Sequence, residues 1–307
     1  MPSLTFVTPA LPAKPITRTA LLLASLREFA GQLAEYPVWV LYPESQGAFK
    51  KEETTTLKEF GAKLIPYQVD KDVLSFPLGA KVQAAAAAEK LARGKKDILV
   101  WLDVDTLILS PPEEFILQDG NALAYRPVHH QLLGTSWGEE PDEFWRMVYQ
   151  HAGADPEQDF QMLTHAGERI RPYFNAGSYA VRPERGILEG WWKNFQACYQ
   201  APEFRSFYER NSLYAVFMHQ AIFTGTIQNM ISEYSLQALS SSYNYPLHLH
   251  GDVPEDLRPG LIDELVTLRY ENLFDQPDWQ ETLPFSEELA GWITAQLVKF
   301  NFPGDQA

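Results

Sequence analysis

Residues 98–109 read Ile-Leu-Val-Trp-Leu-Asp-Val-Asp-Thr-Leu-Ile-Leu, and the fold class turns on this stretch. An unbroken apolar run that ends in Asp103-Val104-Asp105 and then resumes has the pattern of a strand buried on both faces of a parallel sheet. The carboxyl end of such a strand is where open α/β sheets receive their ligands. With 103–105 extended, period-two alternation puts Asp103 and Asp105 on one side and Val104 on the other. The pair would then face a common hard cation, for which oxygen donors favour Mg²⁺, Ca²⁺ or Mn²⁺. The alternative is structural, with one aspartate capping the next turn and the other solvated. The spacing alone does not choose between them.

Outward from this stretch, Leu4–Val7, Pro37–Tyr42 and Ala62–Tyr67 read as strands. Thr19–Leu33, Thr54–Phe60 and Gly79–Arg93 read as helices, the last two closed by Gly61 and Gly94. Strand and helix in alternation predict a right-handed parallel sheet with covering helices. Downstream, 110–140 reads mostly as loop and edge strand, Asp142–Gln150 as helix and 151–172 as a polar excursion. Residues 173–181 (Tyr-Phe-Asn-Ala-Gly-Ser-Tyr-Ala-Val) predict strand on either side of an Asn-Ala-Gly step, whose glycine would mark a bulge or a close ligand approach. Helices follow around Trp191–Tyr199 and Tyr214–Ile227, and the last third reads as loop and short strand. With no repeat or linker, a single domain over 1–307 is expected.

The chain has 307 residues, 45% of them hydrophobic and 21% charged, enough for a sizeable core. Its 40 acidic and 25 basic residues give a net charge of −15. That excludes nucleic acid and anionic membrane surfaces as partners, since both need Lys/Arg-rich surface. One phosphate-bearing small molecule is still compatible if a metal or a local basic pair offsets the repulsion. The lone Cys198 rules out an internal disulfide, and its aromatic neighbours Trp191, Trp192, Phe195 and Tyr199 suggest a packed thiol. With no signal-peptide pattern and no apolar run long enough to span a bilayer, a cytoplasmic location without a membrane anchor is expected.

Three blocks in order resemble the glycogenin-like, galactosyltransferase-type glycosyltransferases of the GT-A fold. They are the 98–109 stretch, Tyr-Phe-Asn-Ala-Gly-Ser-Tyr-Ala-Val-Arg-Pro at 173–183, and His-Gln-Ala-Ile-Phe at 219–223 where that family has Asp-Gln. The resemblance implies an α/β, Rossmann-type mixed sheet, mainly parallel and flanked by helices. It divides the chain into a nucleotide-binding half (1–110) and an acceptor and sugar half with a C-terminal extension (111–307). It implies a nucleotide-diphospho-sugar donor, an acceptor of unknown identity, Mn²⁺ or Mg²⁺ as cofactor, and retention of anomeric configuration. A metal held by two aspartates would act as a Lewis acid on the departing diphosphate.

Carried over by position, the resemblance assigns Asp103 to ribose and metal, and Asp105 to metal and diphosphate. Asn175, Ala176 and Gly177 would line the sugar and acceptor, with Gln220 near the anomeric centre. Lys81 would contact phosphate or sugar, and Thr8 and Pro9 would neighbour the base and ribose. The chain departs from the family at His219, where an aspartate is usual. It also lacks the C-terminal His-x-x-Gly-x-x-Lys-Pro-Trp block that supplies the third metal ligand and a diphosphate lysine. Of the nearest histidines, His248 and His250, the second is favoured as ligand. Leu268-Arg269-Tyr270-Glu271 matches that block in position more than in residues.

Other marked residues have structural readings. The adjacent His129-His130 read as loop surface, and Asp155, Glu157 and Asp159 as a solvated cluster without the glycine of a calcium loop. Arg169 and Arg171 read equally as an anion contact or a salt bridge. Two other functions compete: a catalytically silent GT-A-like binding domain, and a haloacid-dehalogenase-like phosphatase, whose Asp-x-Asp usually lies near the N-terminus.

Overall fold

The structure is a computed structural model describing residues 2–302. Its strands are β1 (Leu4–Pro9), β2 (Val38–Pro43), β3 (Ala62–Tyr67), β4 (Ile98–Leu102), β5 (Thr106–Ile108), β6 (Leu123–Pro127), β7 (Met162–Leu163), β8 (Arg169–Ile170), β9 (Phe174–Val181), β10 (Leu236–Ala238), β11 (Tyr245–Pro246) and β12 (Thr267–Arg269). The α-helices are α1 (Thr17–Phe29), α2 (Lys51–Glu59), α3 (Lys71–Ser75), α4 (Gly79–Ala92), α5 (Glu143–Ala152), α6 (Ile187–Cys198), α7 (Pro202–Arg210), α8 (Leu213–Met230), α9 (Trp279–Thr282) and α10 (Glu287–Lys299). None of the described helices is long and apolar enough to cross a membrane.

Seven strands form the central sheet in the order β10-β6-β9-β4-β1-β2-β3. The β1–β2, β1–β4, β2–β3 and β6–β10 pairs are parallel, and β9 runs antiparallel to both β4 and β6. This is the mainly parallel mixed sheet that the alternating pattern and the resemblance predict. The unbroken apolar run of β4 follows from its central place. Leu99 and Trp101 enter the core under α4 and α6, while Ile98, Val100 and Leu102 enter the core under α1. A strand covered on both faces needs apolar side chains at every position. The chain leaves β1 toward β2 on one side and returns as β4 on the other, so the carboxyl ends of β1 and β4 flank a topological switch point. A small sheet, β11-β12-β5, is attached beside it and has its own core of Leu107, Leu268, Tyr270 and Ile293.

Several local expectations change. α1 ends at Phe29, because Gly31 at φ +57 turns the chain into a 3₁₀ segment before Leu33. β6 is interior, buried along its length between β10 and β9. β9 is one continuous strand, and the register shift lies opposite it, between Tyr125 and Pro127. α7 and α10 lie where the sequence suggested no helix.

Candidate active site

The aspartates sit on a tight turn, not on extended chain. Thr106 N–H donates to Asp103 O at 3.1 Å, and Asp103 N–H donates to Gly177 O at 2.8 Å, fixing the end of β4 to β9. The turn, not period-two alternation, brings the carboxylates together. What they meet comes from the far end of the chain. β12 pairs antiparallel with β5 so that Arg269 faces Thr106, and Tyr270 N–H donates to Asp105 O at 3.0 Å.

Arg269 Nη2 donates to Asp105 Oδ2 at 2.7 Å, and its Nη1 lies 3.4 Å from Asp103 Oδ2. Lys81 Nζ, from the first turn of α4, donates to the same Asp103 Oδ2 at 2.7 Å. Trp101 Nε1 donates to Asp103 Oδ1 at 3.0 Å. Burial works against the Arg269 charge, but Asp105 and Asp103 outweigh it and hold the guanidinium above its ordinary pKa. Burial draws the Lys81 ammonium below its usual value; Asp103 opposes this and Arg269 adds to it. Buried Arg and Lys are rare unless paired, and here two aspartates and two cations compensate one another.

This arrangement does not fit the expected divalent ion. Both oxygens of Asp103 and Oδ2 of Asp105 are already accepting from cationic or indole donors. Two unit charges about 4 Å apart interact by about 4 kcal/mol at an effective dielectric of about 20. A dication on these carboxylates would have to displace both cations, each of which holds about that much interaction with its aspartate. No third ligand joins the pair either, and among the described residues no group of His, Cys, Asp or Glu is placed to share a metal ion. His250 is not brought to the aspartates. Its Nδ1 lies 2.9 Å from the Tyr245 hydroxyl, and it lines a groove with Leu273 and Gln276 that neither aspartate borders.

Two chambers meet at this cluster. A cleft of 680 Å³ runs along the carboxyl ends of β1 and β4, with Pro9, Ala10, Tyr67 and Phe76 among its walls and Lys14 and Arg18 at its edge. A second chamber of 340 Å³ lies toward β9 and α8, lined by Asn175, Gly177, His219 and Gln220. Leu78, Lys81, Asp103 and Arg269 border both. Of the residues expected at the site, Asp103, Asp105, Lys81, Pro9, Asn175, Gly177 and Gln220 reach one chamber or the other. Thr8 and Ala176 reach neither: Thr8 is buried at 1% exposure, and Ala176 faces the core. Gln220 accepts from the Ala176 N–H at 3.1 Å, so its carbonyl oxygen braces β9 from beneath.

The second chamber also holds residues not anticipated there. His129 is buried, 3.1 Å from the Asn244 amide, and faces the chamber with His130, His248 and Glu271. Burial, then His165 and Arg269, lower the His129 pKa well below the usual histidine value, so the ring is neutral. Burial and Lys81 do the same at His219. A pair of adjacent histidines carries no local sign of burial, and the groups packed beside His129 (Asn244, His165 and His248) come from distant segments. Arg269 did leave a trace in the sequence, since its segment 268–271 matches the position of the missing C-terminal block more than its residues. Arg171 proves structural, ion-paired to Asp159 at 3.0 Å.

The fold has known counterparts. The galactosyltransferase LgtC, solved with donor and acceptor sugar analogs, aligns over 99% of this chain and 97% of its own, with a TM-score of 0.52 at 15% identity. An active-site mutant of LgtC, Q189E, aligns over 87% of each chain, at 0.51 and 15%. Mouse xyloside xylosyltransferase 1, in its apo form, aligns over 86% of this chain and 96% of its own, at 0.50 and 13%. No curated protein matches the chain in sequence. A family profile does, over residues 14–210, a stretch that carries Lys81, the Asp-Val-Asp turn and the Asn-Ala-Gly strand and leaves no room for the phosphatase reading. With that match added to the sheet order and the paired chambers, the chain belongs to the Rhodobacterales glycosyltransferase domain family.

Proposed function

We propose that the domain transfers a sugar from a nucleotide-diphospho-sugar to an acceptor hydroxyl, with the nucleoside in the larger cleft, the sugar in the smaller chamber and the diphosphate at their junction. The observation that carries this reading is the junction itself. Two compensated aspartates and two buried cations stand at the switch point where both chambers open. The apolar walls of the larger cleft suit a base and ribose, and Lys14 adds positive charge there in a chain whose net charge is −15, while Arg18 is ion-paired to Asp275 at 3.3 Å. The halves 1–110 and 111–307 would contribute mainly to the nucleoside and sugar sides, with Arg269 crossing from the second half to the first.

In the reaction the bond from the anomeric carbon to the β-phosphate oxygen breaks, and its electron pair stays on that oxygen. Nearby cations stabilise that charge. The acceptor oxygen forms the new bond to the anomeric carbon, and its proton passes to the departing diphosphate. Asn175 and Gln220 border the chamber in which the sugar would lie and would orient it. Retention of configuration is carried over from the resemblance, and NMR of the product anomer tests it. The donor reading is tested by calorimetric titration with UDP, GDP, ADP, CDP and dTDP, followed by hydrolysis of the matching nucleotide sugars without acceptor. One base should bind in preference, and Asp103→Asn should change its affinity. Failure to bind any nucleoside diphosphate would sink the reading.

A further inference from the structure

We propose that Arg269, assisted by Lys81, takes the place of a divalent metal at the diphosphate site, so that donor binding and transfer need no metal ion; this rests on the donor reading above. The cluster is built for a guanidinium. β12 delivers Arg269 opposite the aspartate turn, and the Tyr270 N–H bond to Asp105 O keeps it there. Position 177 is glycine, and a Cβ there would overlap Arg269 Nη1, so the backbone of β9 leaves space that the guanidinium fills. Arg269 and Lys81 side chains are 13% and 8% exposed, yet each borders both chambers.

The two cations retain unused capacity. A guanidinium carries five N–H donors and an ammonium three. The Nε of Arg269 is buried and has no partner. Planar Arg geometry suits two phosphate oxygens at once, and Lys serves as a point charge beside it. Charge that develops on the β-phosphate as the sugar leaves would be met by two fixed cations. The aspartates then hold the cations in position and do not act as metal ligands.

The test uses the whole chain and two independent readouts. In the first, the best-binding nucleoside diphosphate is titrated in excess EDTA and again in excess Mn²⁺, and transfer or donor hydrolysis is followed under the same conditions. Affinity and rate are expected to be unchanged by EDTA. Arg269→Ala should weaken binding about tenfold or more, while Arg269→Lys, which keeps a charge opposite the aspartates and guards against misfolding, should recover part of it. In the second, Mn²⁺ binding without nucleotide is followed by electron paramagnetic resonance. The wild type should bind none at this site, and Arg269→His should gain a site that Asp105→Asn removes. Loss of nucleotide binding in EDTA with recovery in Mn²⁺ would overturn the proposal and leave the donor reading standing. So would Mn²⁺ bound by the wild type and lost in Asp105→Asn. Absence of nucleotide binding in both conditions would overturn both.

Discussion

Gly177 is the residue on which the cation cluster depends most directly. A methyl group there would overlap the Arg269 guanidinium and stand 3.0 Å from Asn175 Oδ1 and 3.1 Å from Asp103 Oδ2. The overlapped group is the end of a long side chain, so Gly177→Ala should displace Arg269 and leave the fold in place. The melting temperature is expected to fall by only about 2–4 °C, and nucleoside diphosphate affinity by about tenfold. Scanning calorimetry and titration of one preparation read both. Unaltered affinity would show that the guanidinium is not needed where the structure has it. The sequence marked this glycine as a place of close approach. It did not show that the approaching group is the protein's own arginine.

At the scale of elements, the decisive piece is β12, a strand of three residues. Its register is set by Leu268 opposite Leu107, both fully buried in the core shared with α10. Leu268→Ala should cost about 3 kcal/mol in urea unfolding and also weaken nucleotide binding, because the strand that carries Arg269 loses its anchor. Leu57→Ala on α2, also fully buried but in the core under α1, should cost a similar amount and leave affinity alone. Equal affinities in the two variants would mean that β12 does not position the site. The longer elements were legible from periodicity and glycine stops, as in α4 between Gly79 and Gly94. β12 offers no period to read, and α10 follows loop-like sequence.

Across the whole molecule, Glu89 is one of the buried groups that couple stability to pH, and it acts opposite to the buried histidines His129, His165 and His219. It is buried between α4 and α6, where one carboxylate oxygen accepts the Glu189 N–H at 2.8 Å and the other has no partner. Burial, the largest influence, raises its pKa from 4.5 to about 7. The folded state therefore keeps a proton that the unfolded chain releases above 4.5. Its contribution is fully present below 4.5, is lost as pH rises to about 7, and is constant above that. Glu89→Gln keeps the acceptor and removes the titration. Above pH 7 it should be more stable than wild type by on the order of a few kcal/mol, an advantage that disappears as pH falls to 4.5. A parallel pH dependence in both proteins would rule Glu89 out as a contributor.

The sequence by itself determined the parallel half of the sheet, the aspartate pair at its open end and the strand that faces it. Those features are local: an apolar run, alternating elements, and glycines at helix ends and close approaches. Only the tertiary structure decided what the aspartates hold. Asp105 and Arg269 lie 164 residues apart, and they meet because a short strand docks in one register against β5. Such pairing depends on packing in a distant core and leaves no pattern in the neighbouring residues. An Asp-Val-Asp turn is equally able to ligate an ion or grip a guanidinium. The group that lies opposite makes the difference.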